Sequence, residues 1–232
     1  MPLLLHSNLL MTPEQEILFK AKELFFKLGV RSITMDDLSR ELGISKKTLY
    51  QYVENKSDLV NKTLLLHFSE EKNTISKAIN EADNAIDEIS RIATESLKQF
   101  RKMHPSSIYD IKKYYPQAWQ IIDQFKSEYI YSAIKNNIAK GKNQGLYREK
   151  IDDDVIARLY INSIDFLVNP HNFPATIYNF SDLYKEFITY HLQGISTPQG
   201  YEYLKNVQLE DHELDSLESP FAQRRFRLEL AA

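Results

Sequence analysis

Ile33-Thr34-Met35-Asp36-Asp37-Leu38-Ser39-Arg40-Glu41-Leu42-Gly43-Ile44-Ser45-Lys46-Lys47-Thr48-Leu49-Tyr50-Gln51-Tyr52-Val53-Glu54-Asn55-Lys56-Ser57-Asp58-Leu59 contains three helix starts within 27 residues. Thr34, Ser45 and Asn55 each precede a polar first turn, and each has a side-chain oxygen able to accept a bond from the free backbone N–H groups there. The helix begun at Thr34 carries Leu38 and Leu42 on one face and ends at Gly43, after about eight residues. Only Gly43-Ile44-Ser45 separates it from the next helix, predicted from Lys46 to Tyr52. Two helices joined by a short glycine-containing turn form a helix-turn-helix.

The apolar spacing of Leu38, Leu42, Ile44, Leu49 and Val53 predicts a small core that locks the second helix of the pair across the first. The opposite face then presents Lys46, Lys47, Thr48, Tyr50, Gln51 and Tyr52. Lysine can donate to guanine O6 or N7, glutamine can pair with adenine, and Thr or Tyr can meet phosphate or a thymine methyl. Two adjacent lysines alone would describe only a solvated face; their place on the second helix of a capped helix-turn-helix makes them candidate readers. Lys56, at the start of the following helix, adds a positive charge to free N–H groups, a combination suited to a phosphate, and Thr34 is placed similarly.

In order and density these residues closely resemble the DNA-binding signature of the TetR family, over about residues 12 to 65. The resemblance implies an all-α chain of about nine helices: an N-terminal three-helix head with the helix-turn-helix at 12–58, and a helical ligand-binding and dimerisation domain at 59–204. It implies Lys46, Lys47, Tyr50, Gln51 and Tyr52 near bases or backbone, and Thr34, Thr48 and Lys56 on phosphates. Two positions depart from the family pattern. Asp36 sets a negative charge, able to repel phosphate, at the head of the helix begun at Thr34, and Val53 replaces a frequent Phe and trims the core.

Outward from the motif, Ile17, Leu18, Ala21, Leu24, Phe25 and Leu28 form the stripe of an amphipathic helix, opened by Thr12-Pro13-Glu14-Gln15 and closed by Gly29. Downstream, the helix from Lys56 is expected to run to about Ser69, followed by helices over 74–103, 106–113, 116–144, 152–168 and 176–193, with loops marked by Pro105, Pro170 and Pro174. Residues 1–11 and 205–232 read as flexible extensions, the latter an acidic stretch and then a basic-apolar tail without an assigned role.

Composition is that of a globular chain: 232 residues, 43% apolar, 26% charged and only six glycines, which disfavours a turn-rich β fold. The net charge of −3 does not exclude DNA, because residues 1–60 carry eight basic and eight acidic side chains and their placement decides. Zero cysteines exclude disulfides and thiolate chemistry and fit the cytoplasm. No stretch approaches the roughly 18 to 20 apolar residues of a membrane span, and Met1–Leu10 lacks the parts of a secretion signal. The six histidines show no metal-ligand spacing, and neither a phosphate loop nor a nucleophile elbow occurs, so neither enzyme chemistry nor a cofactor is expected.

Twelve of the fourteen tyrosines and the single tryptophan follow residue 100. Such aromatics can line a pocket for a small, largely apolar molecule or simply fill a core. With the family resemblance, Phe100, Tyr109, Trp119, Phe125 and Tyr160 are the candidate ligand-binding residues. The resemblance also implies that the last two long helices pair with a second copy, through Val155, Leu159, Leu183 and Phe187, to give a homodimer matched to palindromic double-stranded DNA. Repression, relieved when an effector binds, is implied by the family alone. The rival reading is a helical ligand-binding module whose helix-turn-helix no longer reads DNA.

Overall fold

A computed structural model describes residues 11–104, 106–174 and 176–206. Among these the chain forms eleven α-helices and one π-helical segment, and no strand. The head comprises α1 (Pro13–Leu28), α2 (Met35–Leu42) and α3 (Lys46–Leu49), and α4 (Lys56–Glu81) leads out of it. The body comprises α5 (Ala85–Lys102), α6 (Ser107–Tyr114), α7 (Pro116–Gln124), the π segment (Phe125–Ile130), α8 (Tyr131–Asn143), α9 (Asp153–Leu167), α10 (Phe180–Ile195) and α11 (Pro198–Asn206).

The caps read from the sequence form. Thr12 accepts from the Gln15 N–H at 3.2 Å while the Gln15 side chain accepts from the Thr12 N–H at 2.9 Å. Thr34 and Asp37 repeat this reciprocal pairing at α2, and Ser45 and Asn55 cap α3 and α4. Gly43 turns the chain between α2 and α3 in the left-handed region, at φ 66°.

Three expectations about element lengths are corrected. Regular α3 is a single turn, and Tyr50 to Tyr52 continue as a turn in which the Gln51 and Tyr52 N–H groups reach the Thr48 and Leu49 carbonyls at 3.1 and 3.0 Å. α4 does not stop near Ser69. The polar run Glu70-Glu71-Lys72-Asn73-Thr74 contains neither Gly nor Pro, and beyond it Ile75 and Ala78 bury against Ile92 of α5, so packing carries the helix on to Glu81. The break lies at Ala82–Asn84, where the Asn84 side chain accepts from the Ile86 and Asp87 N–H groups at 2.9 and 3.0 Å. Finally, α10 begins at Phe180, capped by Asn179, rather than at Thr176, and α11 was not anticipated, which raises the count above nine and places residue 205 inside a helix. The expectations for residues 1–10 and 207–232 lie outside the described residues.

Two main cores result. The first gathers Ile17, Ala21, Phe25, Leu38, Leu49 and Val53 of the head with Leu59, Val60 and Leu64 of α4, then Ile111 of α6 and Ala118 of α7. Head and body therefore share buried side chains across residue 58. Links at the C-terminal end of α1 reinforce the seam: the His104 N–H donates to the Phe26 carbonyl at 2.6 Å, and the Arg31 guanidinium lies 4.5 Å from the Tyr114 ring centre.

The second core joins α5, α8, α9 and α10 through Ile86, Ile89, Ile134, Ile138, Ala157, Tyr160, Ile188 and Leu192. A buried polar network anchors its edge. Asn137 donates to the Ala85 carbonyl at 2.8 Å and to Glu88 at 3.0 Å, Lys140 pairs with Glu88 at 2.7 Å, and the Tyr147 hydroxyl donates to Ala85 and Asn137 at 3.1 Å each. The Tyr147 ring lies flat against Gly141 of α8. A Cβ on Gly141 would stand 2.0 Å from a ring carbon, and the ring is tethered by its hydroxyl.

Gly141→Ala is therefore expected to destabilise the chain by about 2 kcal/mol despite alanine's better helix propensity. Gly194→Ala, in α10 where an added Cβ meets nothing within 4 Å, is expected to be neutral or stabilising by up to about 1 kcal/mol. Urea denaturation of the two variants checks both signs.

Candidate functional site

The outward side of the helix-turn-helix is built by the α2–α3 seam. Leu38 and Leu49 are fully buried against each other's neighbours, which orients Lys46, Lys47, Tyr50 and Gln51 outward. Lys47 makes no ion pair among the described residues, and Tyr50 is 48% exposed. Lys46 differs: its ammonium pairs with Asp36 of α2, so the unfamiliar acid at that position neutralises one of the two adjacent lysines.

The other expected contacts are more internally engaged. Thr48 shares its hydroxyl with Ser45 at 2.8 Å, and the Thr34 hydroxyl donates to Asp37 at 2.6 Å, which holds that carboxyl below the usual carboxylate range. Tyr52 is half-buried against the head core. Lys56 is half-buried and donates to the Arg31 carbonyl at 3.3 Å; burial, then the nearby Arg31 charge, lower its pKa. Lys47, Tyr50 and Gln51 are thus the candidates left with side chains uncommitted to the fold.

Between α4, α5, α6, α7, the π segment and α8 to α10 lies a cavity of about 180 Å³. Phe100, Trp119, Phe125 and Tyr160 line it. Tyr109 does not: α6 turns Ile108 and Ile111 inward, which leaves Tyr109 outside, 43% exposed with the Lys113 ammonium 5.6 Å from its ring centre. Phe125 stacks on Phe68 at 4.2 Å.

Sequence reading missed the α4 wall altogether. Thr63, His67 and Glu71 follow one another at four-residue spacing, between the apolar positions Val60, Leu64, Phe68 and Ile75, and all seven line the cavity. The signal was present as polar residues recurring on an otherwise buried stripe, but it disappears when the helix is ended at Ser69.

Burial governs the chemistry of this wall. The Thr63 hydroxyl is buried without a hydrogen-bond partner. Burial, assisted by the Lys22 charge, lowers the pKa of His67 from 6.5 to about 4, so the ring is neutral. Glu71 has its pKa raised by burial and by its like-charged neighbours Glu95 and Glu70. Lys126 is already paired with Asp165 at 2.5 Å.

The candidate dimer residues divide. Val155 and Leu159 are exposed on α9, in line with exposed Phe166. Leu183 is only 8% exposed and belongs to its own chain's core, so it drops out of any outward face; Phe187 is half-buried on the Tyr160 and His191 rings, and the outward aromatic of α10 is Tyr190, 78% exposed. Among the described residues no helix is long and apolar enough to cross a membrane.

His191, like His67, is held neutral by burial, with its pKa lowered to about 4. Folded pKa values below the unfolded ones mean that this stability is fully present above pH 6.5 and is lost as pH falls through about 4. Each ring is expected to cost roughly 2 kcal/mol by about pH 5. Denaturation midpoints measured between neutral and acidic pH should fall accordingly, and His191→Gln should flatten part of that fall.

Residues 17–63 match the family model for bacterial regulatory proteins of the tetR family. An uncharacterized HTH-type transcriptional regulator of Bacillus subtilis (strain 168), YvaF, is 30% identical over 143 residues, 60% of this chain and 73% of its own. Two solved structures share the fold at 16% identity: the fatty acid degradation regulator FadR from Bacillus halodurans, with a TM-score of 0.62 over 79% of this chain and 97% of that one, and the regulator FadR from Bacillus subtilis in complex with stearoyl-CoA, with 0.60 over 78% and 98%. With the helix-turn-helix matched in sequence and the helical body matched in fold, the chain belongs to the TetR family of transcriptional regulators.

Proposed function

We propose that this chain is a repressor that holds palindromic operator DNA as a homodimer and releases it when a small, largely apolar molecule enters the α4 cavity. One observation carries the reading: the side chains that wall the cavity are in part those that seat the head. Val60 and Leu64 of α4 and Ile111 of α6 belong both to the head core and to the cavity lining. A molecule that pushes on them shifts the packing of α4 and α6 under the head. About 1 to 3 kcal/mol of such coupling produces a useful response.

The dimer reading is supported by the exposed apolar residues Val155, Leu159 and Phe166 along one line of α9 and by the exposed Tyr190 of α10, large apolar side chains with little reason to meet water. Two copies related by a two-fold axis would present two reading segments to half-sites about one DNA turn apart. A cavity of 180 Å³ lies below the roughly 300 Å³ at which drug-sized pockets begin, which favours a small effector. The FadR complex with stearoyl-CoA supports ligand control in this fold and says nothing of which ligand acts here.

DNA reading is tested with duplex from upstream of the chain's own gene. Lys47→Ala combined with Tyr50→Ala is expected to lower specific affinity by about 10- to 100-fold without changing thermal stability, since both side chains are exposed. Unchanged affinity would return the chain to the rival reading of a module that no longer binds DNA. Asp36→Asn frees Lys46 from its ion pair, and is expected to tighten binding and to steepen the dependence of log K on log salt by about one unit.

A further inference from the structure

One turn before its last member Ile75, the α4 wall of the cavity carries a carboxylate, Glu71, with neither an ion pair nor a hydrogen bond among the described residues. The charges that act on it, Glu95 and Glu70, are both negative. The other ions of the lining compensate one another. Lys126 is held by Asp165 at 2.5 Å and by Asp123 at 3.6 Å, and His67 is neutral. With Glu71 ionised, the lining therefore carries one unpaired negative charge. Two turns away on the same face, Thr63 is 4% exposed and its hydroxyl is also unpartnered. An unpaired ion and an unpaired hydroxyl in a chamber whose lining includes Phe26, Phe68, Phe100, Phe125 and Trp119 are costly to the empty protein.

Resting on the reading that this cavity is the effector site, we propose that its ligand is a small lipophilic cation of the quaternary-ammonium class, its charge set against Glu71 and its apolar body among the aromatic rings. A cation supplies the charge that the carboxylate lacks, and the ring faces attract it further. An anionic ligand would meet Glu71 and Asp165: Glu71 also borders the outer groove beside Phe26 and Met103, but Lys27 and Lys102 of that groove do not line the cavity.

The test uses three probes of similar shape: benzyltrimethylammonium, neopentylbenzene, which carries carbon in place of the charged nitrogen, and the anion phenylacetate. Trp119, the single tryptophan and a lining residue, reports binding by its fluorescence in the full-length protein. The cation is expected to bind at least about tenfold more tightly than the neutral isostere, and Glu71→Gln is expected to remove that preference while leaving neopentylbenzene within about twofold. A melting curve checks that the variant is folded, and Glu71→Asp, which keeps the charge, serves as a second variant expected to retain a preference for the cation. Equal binding of the cation and the neutral probe, tighter binding of phenylacetate, no binding of any probe, or a cation affinity indifferent to Glu71→Gln would each overturn the proposal. Operator release by the same probes is scored separately. Glu71-dependent binding without release would sink the effector-site reading while the cation preference stands, and release by neopentylbenzene alone would do the reverse.

Discussion

One stripe of side chains on α4 has to satisfy two cores. Its first turns bury Leu59, Val60 and Leu64 in the head, and its last turns bury Ile75 and Ala78 against α5. Because the helix is continuous from Lys56 to Glu81, these two sets cannot move independently. The remaining architecture is arranged around that constraint: α1 packs along one flank with Lys22 paired to Glu70 and Lys62 to Glu14, α7 along another through Asn61 and Gln117, and α6 bridges from the body to the head.

The cavity opens midway along α4, where neither core closes fully over the helix. That position explains its mixed character. The apolar members of the wall continue the packing stripe, whereas Thr63, His67 and Glu71 occupy positions that a plain core would give to leucine or alanine. Polar groups placed so cost stability.

The head was legible in the sequence because its information is local. Thr12, Thr34, Ser45 and Asn55 announce their helices within three residues, and Gly29 and Gly43 end two of them. Even so, the reach of α3 was overestimated, since the four residues after Ser45 and the turn that follows have similar composition. In the body, long-range packing decides what local pattern cannot. The polar run after Ser69 looks like an end until Ile75 and Ala78 find Ile92, and Leu183 looks no different from Leu159 until the fold buries one and exposes the other. Of the aromatics, Tyr109 and Trp119 are equally plausible pocket residues on paper; the rotation of α6 about its axis separates them. The ion pair between Asp36 and Lys46 joins two helices, and spacing along the chain does not encode it.

The π segment from Phe125 to Ile130 gives the helix between Pro116 and Asn143 an extra residue in one turn, marked by the Tyr131 N–H reaching the Lys126 carbonyl. Such a widened turn resets angular register, so that α7 faces the head with Ala118 while α8 faces the opposite core with Ile134 and Ile138. Two apolar surfaces that point in different directions are thereby served by one continuous run of helix. Removing a single residue there to restore regular pitch would twist one half against the other by about 100°, turning one of the two surfaces toward solvent. In this stretch of the chain, length counts for as much as side-chain identity.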